Sequence, residues 1–223
     1  HYIVIGGWLD SFLNEHKWLV RLLKKFDAIY VESDMMKSAL QRRDFENAVV
    51  MYNFKELEPL AESDIEYPKS EPYKLCTFSR VMKEKGIEDA INAVESVNAH
   101  FGRTVYTLDI FGQVDVEYKE RFSQLEKSFP DYMSYGGAIE ANKSVETLKS
   151  YFALLFPTYY KGEGFAGTLI DAMSAGVPVI VSDWKYNPEF VVPGKTGVII
   201  KNCNAERLAE ELINIAAAPE KWN

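Results

Sequence analysis

Three glycines and two acids within ten residues, Gly162, Glu163, Gly164, Gly167 and Asp171, make this stretch the part of the chain best suited to chemistry. The run 162–183, GEGFAGTLIDAMSAGVPVIVSD, reads as a glycine loop, a helix, a tight turn and a buried strand. With the helix starting near Ala166, the amides of Phe165, Ala166, Gly167 and Thr168 would point outward without partners, forming an anion site. Asp171 then lies about five residues in, roughly 7–8 Å along the axis at ~1.5 Å per residue. That gap suits a ligand whose phosphates meet the helix end while its sugar lies alongside. Two cations near one another in sequence, Arg80 and Lys85, could share the same phosphates, and Lys83 between them is read as surface.

The same letters admit a rival. Gly162, Gly164 and Gly167 satisfy the G-x-G-x-x-G dinucleotide pattern, and Asp183 follows at about the ~20-residue spacing of a ribose-binding acid. The context argues against it. Pro157 and the segment TYYK separate the apolar run FALLF from the glycines, whereas the fingerprint needs a tight strand-to-glycine turn. Only 40 residues follow Asp183, too few to complete a fold that such a fingerprint normally opens.

Composition narrows the classes. In 223 residues, 47% are hydrophobic, enough for a sizeable core. A net charge of −8 argues against nucleic acid as a partner, so phosphate recognition must come from local clusters. No apolar stretch approaches the ~20 residues of a membrane span, and no leader pattern precedes one, so a cytoplasmic location is expected. Cys76 and Cys203 lack metal or disulfide spacing, and no D-x-D motif is present, so no metal is expected. The chain opens on His1 at the head of an apolar run, HYIVI, which reads as the middle of a fold and hence as a fragment.

The elements that must position these residues alternate between strand-like and helical patterns, as in parallel α/β folds. Strands are expected at 3–5, 28–32 and 48–52, with helices around 9–25 and 34–42. Residues 55–74 carry three prolines and five glutamates without apolar period, as in a linker. Six further strands follow, at 75–79, 105–111, up to Gly136-Gly137, 152–156, 177–181 and 197–200. The helix opening at Gly86 places Ile87, Ala90, Ile91, Val94 and Val97 on one face. The expected organisation is a partial N-terminal Rossmann-like domain at 1–57, a linker at 58–72 and a complete doubly wound domain at 73–223.

FSRVMKEKG (78–86), LDIFG (108–112), YGG (135–137), the 162–183 run and PGKTGVII (193–200) together resemble, in order and spacing, the retaining glycosyltransferases of family 4, group 1 enzymes of the GT-B fold. The resemblance covers nearly all of 28–217. It implies transfer of a hexosyl unit from a nucleotide diphosphate sugar, with uridine the favoured base, to a glycan or lipid-linked acceptor. No cofactor beyond that donor is implied. The IGGWL opening is similar to capsular and exopolysaccharide transferases, implying a role in surface polysaccharide synthesis.

The resemblance also implies roles. Arg80 and Lys85 would neutralise the departing diphosphate, as relatives do without a divalent metal. Glu163 would contact the donor hexose and Asp171 the ribose, although relatives carry a glutamate at the second position. Gly112 would let the backbone approach the nucleotide, and Gly137, Ala138 and Ile139 would read the base. Phe165, Ala166, Gly167 and Thr168 supply the helix end. Many relatives carry a histidine where Gly6 and Gly7 stand here, leaving backbone amides or elements before residue 1 as alternatives. A sugar-nucleotide epimerase of the same fold and a nucleotide-binding module without turnover are the other readings. Finally, segment 12–26, FLNEHKWLVRLLKKF, sets Trp18, Leu19, Leu22, Leu23 and Phe26 beside Lys17, Arg21, Lys24 and Lys25, a pattern suited to an anionic membrane surface, here the inner face, or to packing on its own sheet.

Overall fold

The computed structural model describes residues 1–65, 68, 70–201 and 203–222. Two parallel sheets organise it. The first contains β1 (Tyr2–Ile5), β2 (Ala28–Val31) and β3 (Ala48–Val50), in that order. Parallel neighbours need crossovers, supplied here by α1 (Leu9–Glu15), α2 (Leu19–Leu23) and α3 (Asp34–Gln41). Ser33 starts α3 by accepting the Met36 amide at 3.0 Å. Segment 9–25 is therefore two helices, not the single one expected. The chain leaves helical geometry at His16 (φ −122°, ψ 56°), so Leu9, Leu13 and Leu23 reach the core from separate turns.

The second sheet is built from β4 (Tyr73–Phe78), β5 (Tyr106–Phe111), β6 (Met133–Gly137), β7 (Ala153–Phe156), β8 (Val179–Ser182) and β9 (Gly197–Ile200). Their order is β6-β5-β4-β7-β8-β9, all parallel. Alternate residues serve opposite faces. Leu75, Leu108, Ile110 and Leu155 pack beneath α4 (Ile87–Phe101) and α9 (Ala205–Ala217). Cys76, Leu154, Phe156, Val179 and Val181 pack on the other side with Leu148 of α6 (Ser144–Leu148) and Leu169 and Ala172 of α7 (Gly167–Ser174). Two short helices, α5 (Lys119–Glu126) and α8 (Asn187–Phe190), complete the set. The six strands expected in this half are all present, and α8 was not anticipated.

The segment joining the sheets is less featureless than its composition suggests. The Leu60 amide donates to the Ser174 carbonyl at the end of α7 at 2.7 Å, and Glu62–Asp64 form one 3-10 turn. Of the expected linker 58–72, residues 66, 67 and 69 lie outside the described residues.

The strand order reverses direction between β4 and β7. In doubly wound sheets the crevice at such a switch point, beyond the strand C-termini, is where ligands bind. The chemistry-bearing residues collect there.

Candidate active site

A cleft of about 450 Å³ opens at this switch point, lined by Ser79, Arg80 and Lys85 after β4, Gly112 after β5, Ala138 and Ile139 after β6, Phe156 at the end of β7, Glu163 and Ala166 in the β7–α7 loop, and Gly167, Thr168 and Asp171 of α7. Residues as far apart in sequence as Arg80 and Thr168 meet because parallel strands deliver every C-terminus to the same edge. Gly112 lies at φ +137°, and a Cβ there would stand 1.8 Å from the Ser79 carbonyl oxygen, so only glycine closes this corner. Its amide donates to the Gly137 carbonyl at 2.8 Å and its carbonyl accepts the Tyr135 hydroxyl at 2.9 Å. Gly137 thus braces the wall that Ala138 and Ile139 face into the cleft.

Lys85 and Glu163 form one buried unit. The ammonium donates to Glu163 Oε1 at 2.9 Å and Oε2 at 2.7 Å, and Thr158 adds a hydroxyl bond to Oε2 at 2.7 Å. The Phe156 and Tyr160 rings each lie 5.2 Å from Nζ. Glu163 is only 5% exposed, far from a loop-surface carboxylate. A carboxylate so buried is stable only with its partners in place. Arg80 is the opposite case. Its side chain is 55% exposed and 3.7 Å from Asp115, free to swing onto a ligand.

The first turn of α7 faces the cleft without a side-chain cap at Ala166, and the Thr168 hydroxyl is buried with no hydrogen-bond partner among the described residues. Uncapped amides at a positive helix end favour an anion. Phe165 differs from expectation, because its amide is already occupied by the Glu32 carboxylate at 3.1 Å and its ring stacks on Phe190 at 3.7 Å. The helix proper begins at Gly167, leaving a shorter set of outward amides. Asp171 also departs from the sequence reading. It is 1% exposed, and both its oxygens are engaged, Oδ1 by Ser144 at 2.8 Å and Oδ2 by Lys55 at 2.5 Å.

Sequence reasoning missed two residues here. Glu32, just after β2, and Lys55, after β3, reach the site from the first sheet's side. Burial raises the Glu32 carboxyl above its ordinary range, the Phe165 amide opposes this, and the nearby Glu163 charge adds to the rise. Gly7 sits against the same loop, where a Cβ would stand 1.7 Å from the Glu163 carbonyl oxygen. The expected glycine pair Gly6-Gly7 is therefore brought to the site, with Gly7 in backbone contact with the Glu163 segment. The only available signal for Glu32 was its place at a strand C-terminus.

The fold and the cleft define a doubly wound α/β protein of the GT-B architecture. Residues 61–222 match the model of the family described as glycosyl transferases group 1, and the chain belongs to that family. It is 30% identical over 178 residues to the GtfA subunit of the UDP-N-acetylglucosamine–peptide N-acetylglucosaminyltransferase of Streptococcus gordonii, an alignment covering 76% of this chain and 34% of that protein. The fold superposes on a mutant TarM of S. aureus in complex with UDP, fondaparinux and alpha-GlcNAc-glycerol with a TM-score of 0.75, at 21% identity over 99% of this chain and 44% of that one. Anabaena HepE in complex with UDP-glucose gives a TM-score of 0.78, at 17% identity over 99% of this chain and 63% of that one. The chain spans about a third of the length of the curated relatives it matches.

Proposed function

We propose that the cleft binds a nucleotide diphosphate sugar, with UDP as the favoured nucleotide, and that the protein to which the chain belongs transfers the hexosyl unit to a glycan or lipid-linked acceptor with retention at the anomeric carbon. The observation that carries this reading is the convergence of Arg80, the Lys85–Glu163 pair and the uncapped start of α7 on one cleft at the strand C-termini. The similarity to a UDP-N-acetylglucosamine transferase subunit and to structures in complex with UDP or UDP-glucose supports it. As the sugar departs, negative charge builds on the diphosphate. Arg80, Lys85 and the α7 amides would take up that charge without a divalent metal. Glu163, steered by Lys85 and Thr158, would meet the hexose hydroxyls. In this reading 73–223 forms the donor-binding domain, 58–72 the linker and 1–57 part of the acceptor side. Gly137, Ala138 and Ile139 read the base. A role in surface polysaccharide synthesis follows from the transferase reading and the capsular-type opening.

Among the described residues no helix is long and apolar enough to cross a membrane. Peripheral contact at the inner face is proposed through 12–26, where Trp18 is 71% and Leu22 49% exposed beside the exposed Lys17, Arg21, Lys24 and Lys25. The apolar stripe is narrower than the sequence implied, because Leu23 is buried in the core and Leu19 and Phe26 pack against it.

Calorimetric titration of this chain with UDP, GDP, ADP and their sugars tests the donor assignment. Tight binding of UDP and a UDP-sugar, with weak binding of uridine, is the expected result. Equal affinity for uridine and UDP would overturn it.

A further inference from the structure

Lys55 lies outside the segment that matches the family model, yet its ammonium stands in the donor cleft. It arrives from the chain after β3, 116 residues from its partner Asp171. Asp171 borders the cleft but its side chain is only 2% exposed, whereas the Lys55 side chain is 31% exposed. A Cβ placed on Gly167 would stand 2.9 Å from Lys55 Cε and 3.2 Å from Nζ, so the ammonium rests beside the first residue of α7. An ammonium has three donors, and Asp171 takes one. A cation beside a helix N-terminus faces the positive end of the macrodipole, an arrangement that becomes favourable when an anion bridges the two. The buried Thr168 hydroxyl, without a partner among the described residues, lines the same spot.

We propose that Lys55 is a donor-binding residue: a third cation for the diphosphate, delivered from outside the family-matched segment and held over the start of α7 by Asp171. Asp171 is then a positioning residue that acts through Lys55, in place of a direct ligand of the ribose. This inference rests on the nucleotide-sugar reading of the cleft. It explains why an aspartate serves at this position: the shorter acid stays behind the ammonium, with Ser144 fixing its other oxygen.

The test is calorimetric titration of UDP and uridine into the chain and its Lys55→Gln, Lys55→Arg and Arg80→Ala variants, with thermal unfolding to check that each folds. Removing one charge-assisted contact is expected to weaken UDP roughly tenfold in Lys55→Gln, leave uridine unchanged, and be largely rescued in Lys55→Arg. The double variant Lys55→Gln/Asp171→Asn, which leaves no unpaired buried charge, should bind UDP as weakly as Lys55→Gln alone. Parental UDP affinity in both Lys55→Gln and the double variant, with a loss in Arg80→Ala, would overturn the inference alone and make Lys55 a strut. Tighter binding of both uridine and UDP in Lys55→Gln would also overturn it, by showing that Lys55 blocks the ribose place. Failure of the parent chain to bind UDP would overturn the cleft reading itself, and this inference with it.

Discussion

In the sequence Arg80 and Lys85 look alike, two cations for one diphosphate, and the structure separates them. Arg80 is exposed and loosely paired, so Arg80→Ala should cost UDP affinity by about 1.5–3 kcal/mol, the worth of one charge-assisted bond, without lowering the melting temperature. Lys85→Ala should lose both affinity and stability, because it strands Glu163, 5% exposed, without its counter-charge. Calorimetry with UDP and thermal unfolding of both variants check this, and similar stability for the two would mean that the buried pair is unimportant to the fold. Glu32 offers a pH test. Its carboxyl is held above the usual value of 4.5, chiefly by burial, so its protonated form favours the fold. The contribution is present below pH 4.5 and is lost as pH rises through the raised value. Glu32→Gln keeps an acceptor for the Phe165 amide and carries no charge. The melting temperature of the variant relative to the parent should therefore be higher at pH 7 than at pH 4, and a constant difference would count against the assignment.

The loop between β7 and α7 is the element on which the site depends, and it is held from several sides. Thr158 and Lys85 fix Glu163, Glu32 holds the Phe165 amide, and Asn53 donates to the Phe165 carbonyl at 2.9 Å. Gly7 is the tightest of these contacts. Gly7→Ala must push the β1–α1 turn and the Glu163 segment apart, since its Cβ would overlap the Glu163 carbonyl. If Glu163 meets the hexose, this variant should bind UDP as the parent does and lose the extra affinity for a UDP-sugar. Equal losses for UDP and UDP-sugar would show that the loop serves the nucleotide instead.

Across the whole molecule, the two sheets are joined by specific polar contacts as well as by chain. Glu189 of α8 accepts the amides of Asp34 at 2.7 Å and Met35 at 2.9 Å, placing a carboxylate on the positive end of α3, 154 to 155 residues away in sequence. Glu189→Ala should cost about 0.3–1 kcal/mol and up to ~2 in a favourable site. Hydrogen exchange at the Asp34 and Met35 amides should speed up, and unchanged protection there would dismiss the capping role. At the same scale, the exposed Trp18 and Leu22 with their lysines predict flotation of the chain with anionic but not neutral liposomes at low salt. Absence of charge-dependent binding would overturn this membrane assignment.

The sequence by itself determined the elements and the near side of the site. Apolar runs located all nine strands of the described sheets, and the 3.6 period located the helix that opens at Gly86, because those signals are local. Arg80, Lys85, Glu163, Gly112, Ala138, Ile139, Gly167 and Thr168 each lie in a short motif at a strand or helix end, and the fold collects them in one cleft. Only the tertiary structure decided which charges meet. Glu163 spends its oxygens on Lys85 and Thr158, Asp171 faces Lys55 and Ser144, and Phe165 gives its amide to Glu32. Those pairings span up to 133 residues, and neither side chain of a pair carries a local signal for the other. A lysine in a proline- and glutamate-rich segment looks solvated until parallel strands bring the first sheet's exit beside the helix that begins at Gly167, and burial then makes the choice of partner decisive.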